Sequence, residues 1–343
     1  MKHHGKITIP LTRPDFSKED KREFLKQIGS NNLADDNLVK QWESAWEDIW
    51  QRGCVAFADP NELILNLKNI LGLQPGCQIY CSPLLHPIWK EALLNCWLNP
   101  NIQNVLSATG QERWNDKNFQ SVAQPAGQKI NRLVQHNFGI PATMDSGFEK
   151  TVEDISAILK PINPEQGFTS KAQLLLLDGN RMVQGGATCL LLSKDNELVC
   201  AMRKDRLKAP AAAICSVGLS QLKRLDDLIE CREKLAKRYL ELYTKNSITL
   251  PPSPVGGRRW ESFIIQLTNQ TKQQELQLFL NKAGIAAAPP IWYHLPDVED
   301  DQPLSKLQKQ SLAIPLYASL SKEEQKKIIN RIHRWVERDK GST

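Results

Sequence analysis

Residues 170–198 read SKAQLLLLDGNRMVQGGATCLLLSKDNEL. The apolar run Leu174 to Leu177 is long enough for one buried strand, and Cys189 to Leu192 is a second. Between them lie a turn at Asp178-Gly179-Asn180, then Arg181, then the pair Gly185-Gly186. Strand, turn and strand around one cationic residue is how a sheet presents a side chain to a cleft. Taken alone, an Arg just past a turn is a solvated surface residue. The rest of the chain changes the weight given to Arg181.

Working outward toward the N-terminus, Cys54 to Phe57 and Gln78 to Cys81 read as short buried strands, with helices at Glu62 to Leu71 and Pro87 to Trp97. Strand, helix and strand with short connections predict a parallel, doubly wound sheet. Ahead of it, Ser17 with Glu19 and Asp20 opens a helix over Lys18 to Ile28. A second helix, Leu38 to Arg52, carries Trp42, Trp46 and Trp50 on one face. That stripe reads as core or interface packing rather than a ligand site, and it is wider than one core face needs. The periodicity predicts further helices over Gln128 to Asn137 and Thr151 to Leu159. It also predicts a strand from Gly139 that ends on the carboxylate of Asp145. Asn99 to Gln124 is polar and poorly patterned.

Toward the C-terminus, Leu219 to Tyr243 reads as one long amphipathic helix. It is followed by a proline break, a strand at Phe263 to Leu267 and a helix at Lys272 to Ala283. A short apolar segment, Leu312 to Tyr317, precedes a final helix, Ser321 to Arg338, with a Ser-x-x-Glu cap. Two domains follow from this reading: residues 1–217 and residues 218–343.

At 343 residues the chain is long enough for a large core. A content of 41% hydrophobic and 24% charged residues is globular in composition. The net charge of +6 is mild, with acids between the bases, so a nucleic-acid partner is not expected. A membrane span needs roughly 20 apolar residues, and no run approaches that length. The opening MKHHGKITIP lacks a secretory apolar core. Eight cysteines, mostly within apolar runs, read as free buried thiols of a cytoplasmic protein. Cys77 and Cys81 have no second pair nearby, so no metal site is expected.

Four stretches resemble the DegT/DnrJ/StrS family of sugar aminotransferases: ITIPLTRPDFSKED (7–20), GLQPGCQI (72–79), GLSQLKRLDDLIECREKLAKRYLELY (218–243) and IPLYASLSKEEQKKIINRI (314–332). The resemblance implies an α/β fold of the pyridoxal phosphate (PLP) transferase type. A large doubly wound domain is joined by a linking helix to a smaller C-terminal α+β domain. It also implies a dimer whose sites draw on both subunits, and together with the wide tryptophan stripe of Leu38 to Arg52 it predicts a dimer contact there. PLP chemistry needs a lysine for the Schiff base, a carboxylate facing the pyridine nitrogen and a phosphate cradle at a helix N-terminus. An aromatic face over the ring is the fourth element.

Carried over by the resemblance, the lysine position falls within Asp178 to Arg181, where Asn180 is followed by Arg181. A guanidinium is never deprotonated at workable pH, so Arg181 cannot form the imine. The phosphate position falls at Asp59-Pro60-Asn61. Asp59 brings a negative charge there and Pro60 removes an N–H. Such repulsion at about 4 Å is on the order of 4 kcal/mol at an effective dielectric near 20. The second phosphate hydroxyl falls at Leu176, the stacking ring at His86 and the ring-facing carboxylate at Asp145, with Phe148 in place of a nearby Gln. Lys171, Lys194 and Lys204 lie off the turn and read as surface charges.

The expectation is a degenerate homologue that holds no PLP covalently and acts as a structural or regulatory subunit in sugar or polysaccharide biosynthesis. It would pair with itself or with an active paralogue. Two other readings stay open. One is a PLP aminotransferase acting on a nucleotide-linked keto sugar. The other is a binder that keeps the sugar-nucleotide cleft between His86, Asp59, Asn61, Asp145, Asn180 and Arg181, with Arg181 holding an anion.

Overall fold

The computed structural model describes residues 7–30, 32, 34–102, 131–142, 150–162, 170–179, 181–186, 188–241, 248–251, 257–290 and 303–340. At its centre are β6 (Ala172–Leu177) and β7 (Thr188–Ser193), whose residues are all buried. They pair antiparallel, with Leu177 opposite Thr188. Burial on both sheet faces is why these strands read as unbroken apolar runs rather than as an alternation.

Among the described residues seven strands form this sheet, in the order β3-β2-β4-β5-β6-β7-β1. The others are β1 (Gly53–Phe57), β2 (Gln78–Cys81), β3 (Asn99–Ile102), β4 (Asn131–Gln135) and β5 (Lys150–Asp154). Strands β3 to β6 pair in parallel, whereas β7 runs antiparallel to both β6 and β1. The sheet is therefore mixed, not purely parallel as the strand-helix-strand pattern predicts.

Alternate residues of β6 feed two cores. Leu174 and Leu176 pack against α3 (Pro60–Ile70), α4 (Pro87–Asn95) and α5 (Asn196–Asp205). Leu175 and Leu177 pack against α2 (Asp36–Trp50), α6 (Ala212–Leu222) and the start of α7 (Leu225–Leu240). The tryptophan stripe of α2 belongs to this second core: Trp42, Trp46 and Trp50 are at most 4% exposed. It is spent within the chain, and offers no surface for a dimer. Gly218 admits the indole, since a Cβ there would lie 2.4 Å from the Trp42 ring. α1 (Lys18–Gly29) packs on α6, and Ser17 and Asp20 form a capping box at its expected start.

Strand β1 is an edge strand, and side chains cover its open backbone. Glu47 and Glu43 accept from the N–H groups of Cys54 and Ala56 at 3.0 and 2.9 Å. Arg203 and Arg206 donate to the carbonyls of the same residues at 2.8 and 2.9 Å. This pairing removes a template for strand addition.

Several predicted elements differ. Gln128 to Asn137 was expected as a helix, but Asn131–Gln135 is β4, lying between β2 and β5. Thr151 to Leu159 was expected as a helix, but it opens with β5 and continues as a turn. Short, fully buried parallel strands carry no period that separates them from a helix segment, and ladder partners decide. The expected strand from Gly139 is instead the end of a short 3-10 turn, Asn137–Gly139, followed by irregular chain, and Asp145 lies outside the described residues. The long helix is broken into α6 and α7 at Lys223-Arg224. Neither Gly nor Pro marks the break. Arg224 leaves helical geometry to donate to Asp20 at 2.6 Å and Asp15 at 3.4 Å.

α7 joins two cores. Its Leu225 and Leu228 sit with α2, while Leu235, Ala236 and Tyr239 sit in a third, C-terminal core. That core is built on an antiparallel sheet of β8 (Ile248–Thr249), β9 (Phe263–Leu267) and β10 (Ser311–Ile314). α8 (Gln270–Asn281), α9 (Pro303–Gln310) and α10 (Lys322–Lys340) accompany it, with Ser321 and Glu324 making the expected cap. Ile9 enters the same core and bridges to Ile285.

Candidate functional site

The carboxyl ends of β2, β4, β5 and β6 open on one cleft of about 420 Å³. This is where an open α/β sheet collects ligands. The segment 257–262, leading into β9, closes one side.

Past β2, His86 caps α4: its Nδ1 accepts from the Ile88 N–H at 3.3 Å. The other ring nitrogen, Nε2, therefore carries the proton. It stands 3.2 Å from Oδ2 of Asp178 at the end of β6. At the end of β5, Asp154 is 4% exposed. Its Oδ1 accepts from the N–H of Ser156 at 3.0 Å and from the Ser156 hydroxyl, and its Oδ2 accepts from Gln135 Nε2 at 3.1 Å. Ser156 Oγ in turn accepts from Leu176 N–H at 2.8 Å, which fixes the end of β5 against β6. Beneath this floor Glu153 is fully buried, 3.6 Å from His136 Nε2, and it accepts from Ser170 and Gln173. Burial pushes its carboxyl up. The hydrogen bonds from Ser170 and Gln173, with the His136 imidazole close by, outweigh burial and hold it below the usual range.

Arg181 projects from the turn after β6. Its Nη1 pairs with Oε1 of Glu261, and its Nε is 4.0 Å from Asp178 Oδ1. Glu261 is held by its own strap. Arg259 N–H donates to the Gly139 carbonyl at 2.8 Å. Arg258 lies 4.1 Å over the Trp260 ring and donates to the Phe138 carbonyl at 2.6 Å. Arg232, from α7, donates to the Glu261 carbonyl at 2.8 Å. Gly139 permits this approach: it has φ +75°, and a Cβ would stand 1.8 Å from the Arg259 carbonyl oxygen. Only glycine takes that backbone conformation without steric cost. Burial lowers the Arg232 and Arg258 guanidiniums to about 10.

Of the residues singled out in the sequence, His86 and Arg181 line the cleft. Asp59 and Asn61 do not. Asp59 caps α3, accepting from Asn61 N–H at 2.8 Å, and Asn61 Oδ1 accepts from Asn95 at 2.9 Å. Asp145, Phe148 and Asn180 lie outside the described residues. Leu176 is buried in the sheet core. Asp154, Asp178, Ser156, Gln135 and Glu261 line the cleft and were not foreseen there. Val152-Glu153-Asp154 held a signal: two apolar-flanked acids at a strand end, obscured by the helical reading. Glu261 gave none, because only the tertiary fold brings its strap to Arg181.

Residues 204–333 match the DegT/DnrJ/EryC1/StrS aminotransferase family. No curated protein matches the sequence. Solved structures match over nearly the whole chain. The aminotransferase TlmJ from Streptoalloteichus hindustanus is 17% identical with a TM-score of 0.81, over 96% of this chain and 99% of that one. PseC from Helicobacter pylori, an aminotransferase involved in the biosynthesis of pseudoaminic acid, is 16% identical with a TM-score of 0.81, over 96% and 99%. The PLP form of the putative sugar aminotransferase Spr1654 from Streptococcus pneumoniae is 15% identical with a TM-score of 0.81, again over 96% and 99%. The chain thus has the α/β fold of PLP-dependent sugar aminotransferases.

The lysine and the phosphate-holding groups that PLP needs are not found among the described residues of the cleft. No lysine is among those lining the cleft. Lys171 is paired with Asp195 at 3.2 Å, and Lys194 and Lys204 are exposed. The N-terminus of α3 is filled by its own Asp59 carboxylate, has Pro60 in its first turn, and the Ala58 N–H ahead of it is given to the Lys208 carbonyl at 3.2 Å. A phosphate dianion at that helix start would meet a carboxylate.

Proposed function

We propose that this chain keeps the aminotransferase scaffold as a binding subunit and performs no PLP chemistry. In this reading the cleft takes a small hydroxyl-rich or anionic molecule, and the chain serves a structural or regulatory role in sugar or polysaccharide biosynthesis. The observation that supports it is Arg181: at the turn where the resemblance puts the Schiff-base amine, the chain has a guanidinium tied to Glu261. The division into residues 1–217 and 218–343, and pairing with a second copy or an active paralogue, belong to the same proposal. Sedimentation at micromolar concentration as a 38.8 kDa monomer, alone and with any paralogue, would count against the pairing. The proposal is tested by calorimetry of the PLP-free chain against free and nucleotide-linked sugars. One-to-one binding supports it. Absence of binding with every sugar refutes it.

Asp154 favours a second reading, an active aminotransferase on a nucleotide-linked keto sugar. It is a buried carboxylate at the end of β5, in the cleft floor. Such chemistry sets a carboxylate of this kind against the pyridine nitrogen. That role would fall to Asp154 rather than Asp145, with a lysine from outside the described residues.

A further inference from the structure

The Arg181–Glu261 pair joins a turn of the large sheet to the strap before β9, and both side chains line the cleft. Arg181 is 12% exposed and Glu261 25%. Just behind, Arg232 is 5% exposed, and its Nε has no hydrogen-bond partner. Arg181, Arg232 and Glu261 border a void of about 10 Å³. One guanidinium thus holds the Glu261 carboxylate and a second its main-chain carbonyl, and the Nε of each lacks a hydrogen-bond partner. Beside Glu261, the buried hydroxyl of Ser262 lines the cleft and also has no hydrogen-bond partner.

From this we propose that Glu261 is an internal stand-in for a ligand carboxylate, and that the cleft binds a polyhydroxylated carboxylate, of uronic or aldonic acid type, by exchanging it for Glu261 on Arg181. The inference rests on the reading of the cleft as a binding site without PLP. Three observations select this chemical class. The group Arg181 holds now is a carboxylate, and the guanidinium fork matches a second carboxylate without change of geometry. The exchange is one negative charge for one, so the balance around Arg181 and Arg232 is kept. A phosphate dianion would instead add charge beside Asp154 and Asp178, which already line the cleft. Among apolar residues such as Leu84, Pro289 and Leu316, the wall also offers oxygen groups from Asp154, Asp178, Ser156, Asn137 and Thr12. A carboxylate oxygen can accept more than one hydroxyl. The cleft volume, about 420 Å³, suits a single small molecule.

The test titrates the full-length chain with D-glucuronate, D-glucose, glutarate and inorganic phosphate, following heat and the emission of Trp260, which adjoins Glu261. Wild type should bind glucuronate in preference to the other three. Glu261→Gln removes the internal competitor while keeping shape, and should tighten glucuronate about tenfold or more with glucose unchanged. Arg181→Met should abolish the preference for the acid. Trp260→Phe should abolish the emission change and keep the heat. Unaltered glucuronate affinity in Glu261→Gln, in a protein with the wild-type circular dichroism, would overturn the exchange, as would equal binding of glucose and glucuronate. Phosphate bound tighter than glucuronate would overturn the ligand class. If no probe binds any variant, the cleft reading under Proposed function falls with it. If sugars bind without regard to Glu261, only the exchange falls.

Discussion

Replacing Arg181 by Met removes a guanidinium that is 12% exposed and leaves Glu261 facing Asp178 across the cleft. A pair at about 4 Å is worth about 4 kcal/mol at an effective dielectric near 20, before the cost of desolvating both groups. Exposed pairs contribute about 1 kcal/mol at most, and breaking a buried pair costs about 3–5 kcal/mol. Glu261 is 25% exposed, which places the pair between these limits. Arg181→Met is therefore expected to cost about 2–3 kcal/mol. Unfolding entropy of about 2.1 cal/mol/K per residue gives roughly 0.7 kcal/mol/K for a chain of this length, so the melting temperature should fall by about 3–4 °C if unfolding is cooperative. The assay is a double-mutant cycle by thermal or urea unfolding: Arg181→Met, Glu261→Gln and the pair together. The double variant should lose less than the sum of the singles, by about 1–2 kcal/mol. Additive losses would refute the pairing, and a neutral Arg181→Met would refute the idea that Arg181 is held at all.

Gly139→Ala forces an alanine to positive φ and drives its Cβ into the Arg259 carbonyl. It should cost about 3 kcal/mol or more, and a melting curve within about 1 °C of wild type would contradict the strap contact. Glu153 has a folded pKa below its unfolded value. With the unfolded value at about 4.3, its contribution is complete above that pH and is lost as pH falls through the lower folded value. Glu153→Gln should therefore flatten the acid limb of the stability profile, and an unchanged limb by urea unfolding between pH 5 and pH 2 would sink the assignment. Arg181→Lys supplies an amine but leaves Asp59 and Pro60 at the head of α3, so no transamination should appear; measurable turnover of an amino donor with that one change would show that the phosphate cradle is intact.

The parts of the fold that were legible in sequence are those with a local physical signature. The two apolar runs around Asp178 to Gly186 marked β6 and β7, and Ser17 and Ser321 announced helix starts through capping boxes seen in the structure. β4 and β5 were read as helices because such short buried segments have no telling period. Their identity comes from neighbours distant in sequence. That misreading hid Asp154, and with it the acid in the cleft floor. The break between α6 and α7 was equally silent, being made by Arg224 reaching Asp20 rather than by a helix-breaking residue. At the site, Arg181 stood out because it follows a strand end and His86 because the resemblance put a ring there, whereas Glu261 enters through a long-range contact that no spacing records. The tryptophans of α2 show the opposite error, a stripe wide enough to suggest an interface but wholly used by the sheet and the helices packed on it.

The claim on which the account turns is that this scaffold no longer takes PLP through a lysine. Incubating the chain with PLP, reducing with borohydride and mapping pyridoxyl groups by mass spectrometry measures that claim directly. The account predicts only sparse labelling spread over exposed lysines, with no long-wavelength band that borohydride bleaches. Stoichiometric modification of a single lysine, together with such a band, would contradict it.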